Sequence, residues 1–268
     1  MIKVYDIIVE QNHFPDGSLL AKLNPYVEQF LKETSNIDIT WNYENDAELF
    51  TLICVKKHLE KYFVKDTCFN LFLPYVPHAR MDRVKNPDEI FTLKYFCEII
   101  NSLKFDTVYV YDVHSNVTLA LLDNVVEEHP YKAIDRVRDM CADPVLFYPD
   151  EGAMKRYSSD IKAPCAFGIK RRDWETGKIQ DLYVMNGDLV KGKDVLIVDD
   201  ICSYGGTFYH SAKALKALGA NKIYLFVTHC ETSIFDGEMI NSGLIDHIYT
   251  TGTIFPYEKQ NEMIEIVC

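Results

Sequence analysis

Apolar and polar positions along this chain follow two alternating rhythms. In "NDAELFTLICVKKHLEKYF", Leu49, Leu52, Ile53 and Leu59 fall on one face of a helix, and Asn45 followed three residues later by Glu48 predicts a capping box at its start. The run "CFNLFLPYVP" that follows is short, apolar and strand-like. "NPDEIFTLKYFCEIINSL" predicts a helix opening at Asn86 and Pro87, with acidic residues in its first turn, and it leads to the strand-like "DTVYVYDVHS". The second half repeats the rhythm. "PVLFYPDEG", "APCAFGIKRR" and "VLIVDD" read as buried strands, "FYHSAKALKALGAN" as an amphipathic helix closed by Gly219, and "KIYLFVTHC" as the strand after it. Strand, helix and strand in this order predict α/β architecture with mainly parallel sheets flanked by helices.

At 268 residues the chain is long enough for two compact units, each with its own core. "VYVYDVH" and "IYLFVTH" form a faint internal echo near the end of each half, consistent with a duplicated domain. The join is expected near "LLDNVVEEHPYK", where the apolar pattern lapses, giving an N-terminal domain of residues 1–127 and a C-terminal domain of residues 128–268.

Charge narrows the partners. A formal net charge of −12 disfavours a broad nucleic-acid or membrane surface, because phosphate-coated partners select basic stripes. A small polyanionic substrate needs only a local basic cluster, and "HARMDRVK" and "GIKRRDW" supply two. The eight cysteines show no CxxC spacing, so neither a zinc site nor a disulfide framework is expected, and they suit a reducing, cytoplasmic compartment. The first residues lack the pattern of a signal peptide, and no apolar run approaches bilayer length.

The candidate chemistry lies in "VLIVDDICSYGGTF", Val195 to Phe208. Ligands of open parallel sheets bind beyond the carboxyl ends of strands. A turn at Gly205, Gly206 and Thr207, opening a helix, can aim successive backbone N–H groups at a phosphate. Asp199 and Asp200 cannot bind that phosphate, but their acceptor oxygens suit sugar hydroxyls or a metal. Phosphate at one end and diol at the other describe a ribose 5-phosphate unit. The plainer reading is two acids ending a strand before a glycine turn. Neither a Walker pattern nor GxGxxG is present.

This stretch resembles the phosphoribosyl-binding loop of the phosphoribosyltransferase superfamily. Other segments resemble its pyrophosphokinase branch, the ribose-phosphate pyrophosphokinases: "LPYVPHARMDR", "YDVHS", "YPDEGAMKR" and "IKRRDW", in that family's order and spacing across nearly all of the chain. The chain is thereby identified as a short, divergent member of the family. The resemblance implies two tandem phosphoribosyltransferase-like, Rossmann-like domains. It implies a reaction in which the anomeric hydroxyl of a 5-phosphoribosyl compound attacks the β-phosphorus of ATP, taking up pyrophosphate and releasing AMP. By the same resemblance, Lys170 and Arg172 close over the transferring group, where charge spreads over equatorial oxygens. Taken alone, "KRR" is a solvated surface run. Asp199, Asp200, Ser203, Tyr204, Gly205, Gly206 and Thr207 bind the phosphoribosyl group; Phe14, Asp16, Arg80 and His114 bind ATP; His114 and Asp150 match the family's Mg²⁺ ligands. "FPDG" is also a plain turn sequence, and both readings can hold together. A homodimer or larger homo-oligomer is implied.

The departures from the family pattern are specific. Ser203 and Tyr204 stand where the family has Asp-Thr, and Ser18 where it has Glu. Asn116 and Val117 replace polar residues of its allosteric phosphate site, and Cys268 comes before its final helix. Tyr204 puts an aromatic face at the rim of the phosphate nest, where it can pack on protein or stack on a group beyond the 5-phosphate. An acceptor larger than ribose 5-phosphate, with ADP-ribose leading, is therefore carried as an alternative, which would place the enzyme in NAD synthesis. A base-attaching transferase and a non-catalytic regulatory homologue are the rival readings.

Overall fold

A computed structural model of the chain describes residues 1–27, 34–61, 67–172 and 179–267. These divide into two compact units, Met1–His129 and Pro130–Cys268. Among the described residues no helix is long and apolar enough to cross a membrane.

The first unit runs β1 (Ile2–Val4), β2 (Ile7–Ile8), β3 (Glu10–His13), β4 (Leu19–Lys22), β5 (Asn36–Trp41), α1 (Ala47–Leu59), β6 (Cys68–Leu73), α2 (Thr92–Ser102), β7 (Thr107–Tyr111), α3 (Asn116–Leu121) and β8 (Val125–Glu128). Its sheet has the order β2-β1-β5-β6-β7-β8. Strands β5 to β8 are parallel, and β1 and β2 add an antiparallel edge. Period-two burial explains the strands: Ile37, Ile39 and Trp41 are buried in β5, and Phe69, Leu71 and Leu73 in β6. The separate β3–β4 hairpin turns through "FPDGS", with Gly17 in the left-handed region at φ 84°.

Two expectations for this unit need correction. Asn45 and Glu48 do not form a capping box: the Asn45 side chain accepts from Ala47 N, while Glu48 accepts from Glu44 N and from the Trp41 indole at 2.9 Å. Glu48 is buried there, so the indole competes successfully for its carboxylate. Helix α2 starts at Thr92, not at Asn86, because Glu89 accepts from Lys85 N and Asn86 N and closes a turn first. The division between the two units, after His129, lies within "LLDNVVEEHPYK", and that segment also carries β8, an edge strand whose half-exposed alternation dilutes the apolar signal.

The second unit runs α4 (Tyr131–Met140), β9 (Val145–Tyr148), α5 (Glu151–Tyr157), β10 (Cys165–Arg172), β11 (Ile179–Met185), β12 (Val195–Cys202), α6 (Gly206–Ala217), β13 (Ile223–Cys230), β14 (His247–Thr250) and β15 (Ile264–Ile266). The strand order is β11-β10-β9-β12-β13-β14-β15, parallel except for β10 with β11. Val195 and Ile197 pack into one core and Leu196 and Val198 into another, so β12 is covered on both faces. That is why "VLIV" reads as an unbroken apolar run. Helix α6 ends as expected at Gly219, φ 88°, where Ala220 N donates to Leu215 O.

The route of the chain locates a crevice. From β9 it moves outward to β10 and β11, then returns to β12 on the opposite side of β9. The order therefore reverses between β9 and β12, and the carboxyl ends of these two strands flank the switch point where open α/β sheets bind ligands.

Candidate active site

Strand β12 delivers Asp199 and Asp200 to that crevice, and the chain then turns through Ser203, Tyr204 and Gly205 into α6. Gly205 is the residue that makes the turn: its φ is 76°, and a Cβ there would meet Met239 Cε at 2.8 Å. The first amides of α6, from Gly206 and Thr207 onward, have no intrahelical acceptor and carry the positive end of the helix dipole. A short 3₁₀ segment, Thr232–Asp236, braces the loop from behind. Gly237, just after it, lies so close that a Cβ would sit 1.9 Å from Tyr204 O. The Tyr204 ring itself is 62% exposed at the rim.

Negative charge gathers beside this loop. Asp150 follows β9 and caps α5, accepting from Ala153 N at 3.1 Å. The carboxyl of Asp199 is held well above the usual carboxylate range, first by burial and then by the neighbouring Asp200 and Asp150. Asp200, buried, is paired with Arg156 on α5 at 3.3 Å. The second unit thus brings together Asp150, Asp199, Asp200 and the Ser203 to Thr207 loop. Strand β10 carries Lys170 opposite Leu182 and Arg172 opposite Ile179; the side chains of Lys170 and Arg172 lie outside the described residues.

The other candidates belong to the first unit. Phe14 and Asp16 occupy the tip of the β3–β4 hairpin, where Asp16 accepts from Ser18 N at 2.9 Å and from Ser18 Oγ at 2.6 Å. Those bonds hold the exposed Asp16 carboxyl below its ordinary range. Arg80 is exposed after β6, and His114 half-buried after β7, the adjacent parallel strand. Between them, Asp82 accepts from Arg83 Nε and Nη2, each at 2.8 Å. Arg83, then Ser115 and His114, hold it down at about 2 against the opposing effect of burial.

Two residues escaped the sequence reading. Arg156 was inside a quoted motif, but its partner, Asp200, is 44 positions away and is visible only in the fold. Glu231 directly follows β13, donates its N–H to Cys202 O at 2.8 Å, and accepts hydrogen bonds from Ser203 Oγ and Ser233 Oγ. An acid directly after an apolar strand was its signal, the same one that marked Asp199.

A family model described as the phosphoribosyl synthetase-associated domain matches residues 176–266. The ribose-phosphate pyrophosphokinase of Thermoplasma volcanium is 31% identical, over 100% of this chain and 91% of its own length. That of Saccharolobus solfataricus is 28% identical, over 82% and 76%. Among solved structures, phosphoribosylpyrophosphate synthetase from Mycobacterium smegmatis superposes with a TM-score of 0.74 at 18% identity, covering 97% of this chain and 85% of that one. The structural likeness establishes the tandem phosphoribosyltransferase-like fold. With near-complete coverage of a relative above 30% identity, the chain belongs to the ribose-phosphate pyrophosphokinase family.

Proposed function

We propose that the protein is a Mg²⁺-dependent pyrophosphokinase that uses ATP and a 5-phosphoribosyl acceptor. The acceptor's anomeric hydroxyl oxygen attacks the β-phosphorus and gives up its proton, the bond between the β-phosphorus and the bridging α-phosphate oxygen breaks, and AMP leaves with that oxygen as the pyrophosphoryl group joins O1. With ribose 5-phosphate the product is PRPP. The observation that carries this reading is the strand-order reversal between β9 and β12, which sets an acid pair and a phosphate-type loop at one crevice.

The loop amides at Gly205, Gly206 and Thr207 hold the 5-phosphate, and Asp199 accepts from the sugar hydroxyls with Asp200 beside it. Lys170 and Arg172 stabilise charge on the transferring group. Phe14, Asp16, Arg80 and His114 form the nucleotide side. The exposed hairpin tip bearing Phe14 is read as reaching a second copy of the chain, so the enzyme is a homodimer or a larger homo-oligomer.

The donor set fits Mg²⁺. Asp150 offers hard carboxylate oxygen, and it stands near enough to Asp199 and Asp200 for the three carboxylates to act on one another, which suits a cation. Among the described residues no three His, Cys, Asp or Glu side chains form a ready cage, which suits an ion that takes most ligands from nucleotide phosphates and water. Asp150 would hold it beside the sugar-phosphate loop, and it would neutralise phosphate charge.

A second acceptor, ADP-ribose, is favoured by one observation: the exposed Tyr204 ring offers a stacking face beyond the phosphate nest. The test is AMP release from ATP and Mg²⁺ with each acceptor separately. Release dependent on either acceptor supports the pyrophosphokinase reading; none with both leaves the regulatory homologue in its place.

A further inference from the structure

Glu231 stands in an unexpected place for a carboxylate. The loop beside it is built to attract anions, yet Glu231 is fastened both to the last residue of β12 and to that loop. Its N–H donates to Cys202 O at 2.8 Å, and its Oε2 accepts from the hydroxyl of Ser203, the first loop residue. Ser233 Oγ donates to the same oxygen at 3.2 Å, which fixes the carboxylate rather than leaving it to swing into solvent.

Two consequences follow for a phosphate in the nest. A serine hydroxyl has one proton, and Ser203 directs it at Glu231, so it presents the phosphate with lone pairs instead of a donor. Glu231 also places a negative charge one side chain away from the bound anion. A terminal phosphomonoester carries a charge of about −1.5 to −2 at neutral pH, whereas a phosphate esterified at both ends carries about −1. The same carboxylate therefore repels the terminal phosphate more strongly, and a nest short of one donor compensates it less.

We propose that Glu231, acting with Ser203, is a specificity-determining residue that disfavours a terminal 5-phosphate and selects a ribose whose 5-phosphate is joined, by an ester or anhydride bond, to a further group. This rests on the pyrophosphokinase reading and gives it a substrate class. The exposed Tyr204 ring, next in the chain, offers such a further group a face to stack on. Glu231 is a positioning residue here: its effect passes through the Ser203 hydroxyl and through charge.

The experiment compares the full-length protein with Glu231→Gln, which keeps an acceptor for Ser203 but loses the charge, and Ser203→Ala, which keeps the charge. Initial rates of AMP release are measured with ribose 5-phosphate and with ADP-ribose, and ribose 5-phosphate binding is titrated calorimetrically without ATP. Glu231→Gln is expected to raise kcat/KM for ribose 5-phosphate about tenfold, through KM, and to tighten its binding, lowering the preference for ADP-ribose. Ser203→Ala is expected to retain that preference. A Glu231→Gln protein that turns over both acceptors in the wild-type ratio overturns the assignment while leaving the pyrophosphokinase reading intact. If neither acceptor yields AMP but the substitution still tightens ribose 5-phosphate binding, the reaction is wrong and the discriminator stands. Unchanged binding without turnover removes both.

Discussion

Asp200 and Arg156 show how charge is managed at the crevice. Asp200 is only 5% exposed, and an isolated carboxylate at that depth is costly, so the Arg156 guanidinium at 3.3 Å offsets part of that cost. Arg156→Ala is expected to lower stability by about 2–3 kcal/mol, less than for a fully buried pair because the arginine is partly solvated. A urea-denaturation midpoint checks this. Adding Asp200→Asn should recover part of the loss, since the charge left without its guanidinium is then removed; no recovery would mean that Arg156 acts through packing alone. The acid pair was legible in "VLIVDD" because strand-end carboxylates are unusual. Its asymmetry was not, since which aspartate meets an arginine depends on α5 packing beside β12.

At the scale of elements, the buried parallel strands were readable because both faces are covered and the apolar runs are continuous. Boundaries set by side-chain competition were less so: the α2 start moved when Glu89 closed its own turn, and β8 escaped notice as an edge strand. The phosphate loop was visible through its glycines, but its brace was not, because nothing in "SIFDG" states that Gly237 touches Tyr204. That contact carries a prediction. Gly237 has φ −89°, so alanine is allowed by the backbone, and only the collision with Tyr204 O forbids it. Gly237→Ala is therefore expected to displace the loop while the sheet stays folded. Acceptor KM should rise about tenfold or more, given how steeply binding and catalysis depend on sub-ångström placement, with the ATP KM little changed. Steady-state kinetics with circular dichroism as the folding control decides it; an unchanged acceptor KM would show that the loop relaxes without consequence.

For the whole molecule, the proposed reaction assigns its two substrates to different units of the chain. The nucleotide candidates Phe14, Asp16, Arg80 and His114 lie within Met1–His129, whereas the sugar-phosphate loop and Lys170 lie within Pro130–Cys268. Each unit has its own hydrophobic core, so a surface substitution in one should leave binding determinants of the other in place. Arg80→Ala should then raise the ATP KM about tenfold with the acceptor KM within about twofold, because it removes one charge-assisted phosphate contact. Gly237→Ala, which displaces the sugar-phosphate loop, should do the reverse. Lys170→Ala, acting on charge that develops only during transfer, should lower kcat by about 100-fold with both KM values nearly kept. Full two-substrate kinetics on the three variants resolves these effects. The separation tests the assignment itself: if Arg80→Ala weakened the acceptor as much as the nucleotide, or Lys170→Ala lost ATP binding together with turnover, the division of labour between the two units would be wrong even if the enzyme still made AMP.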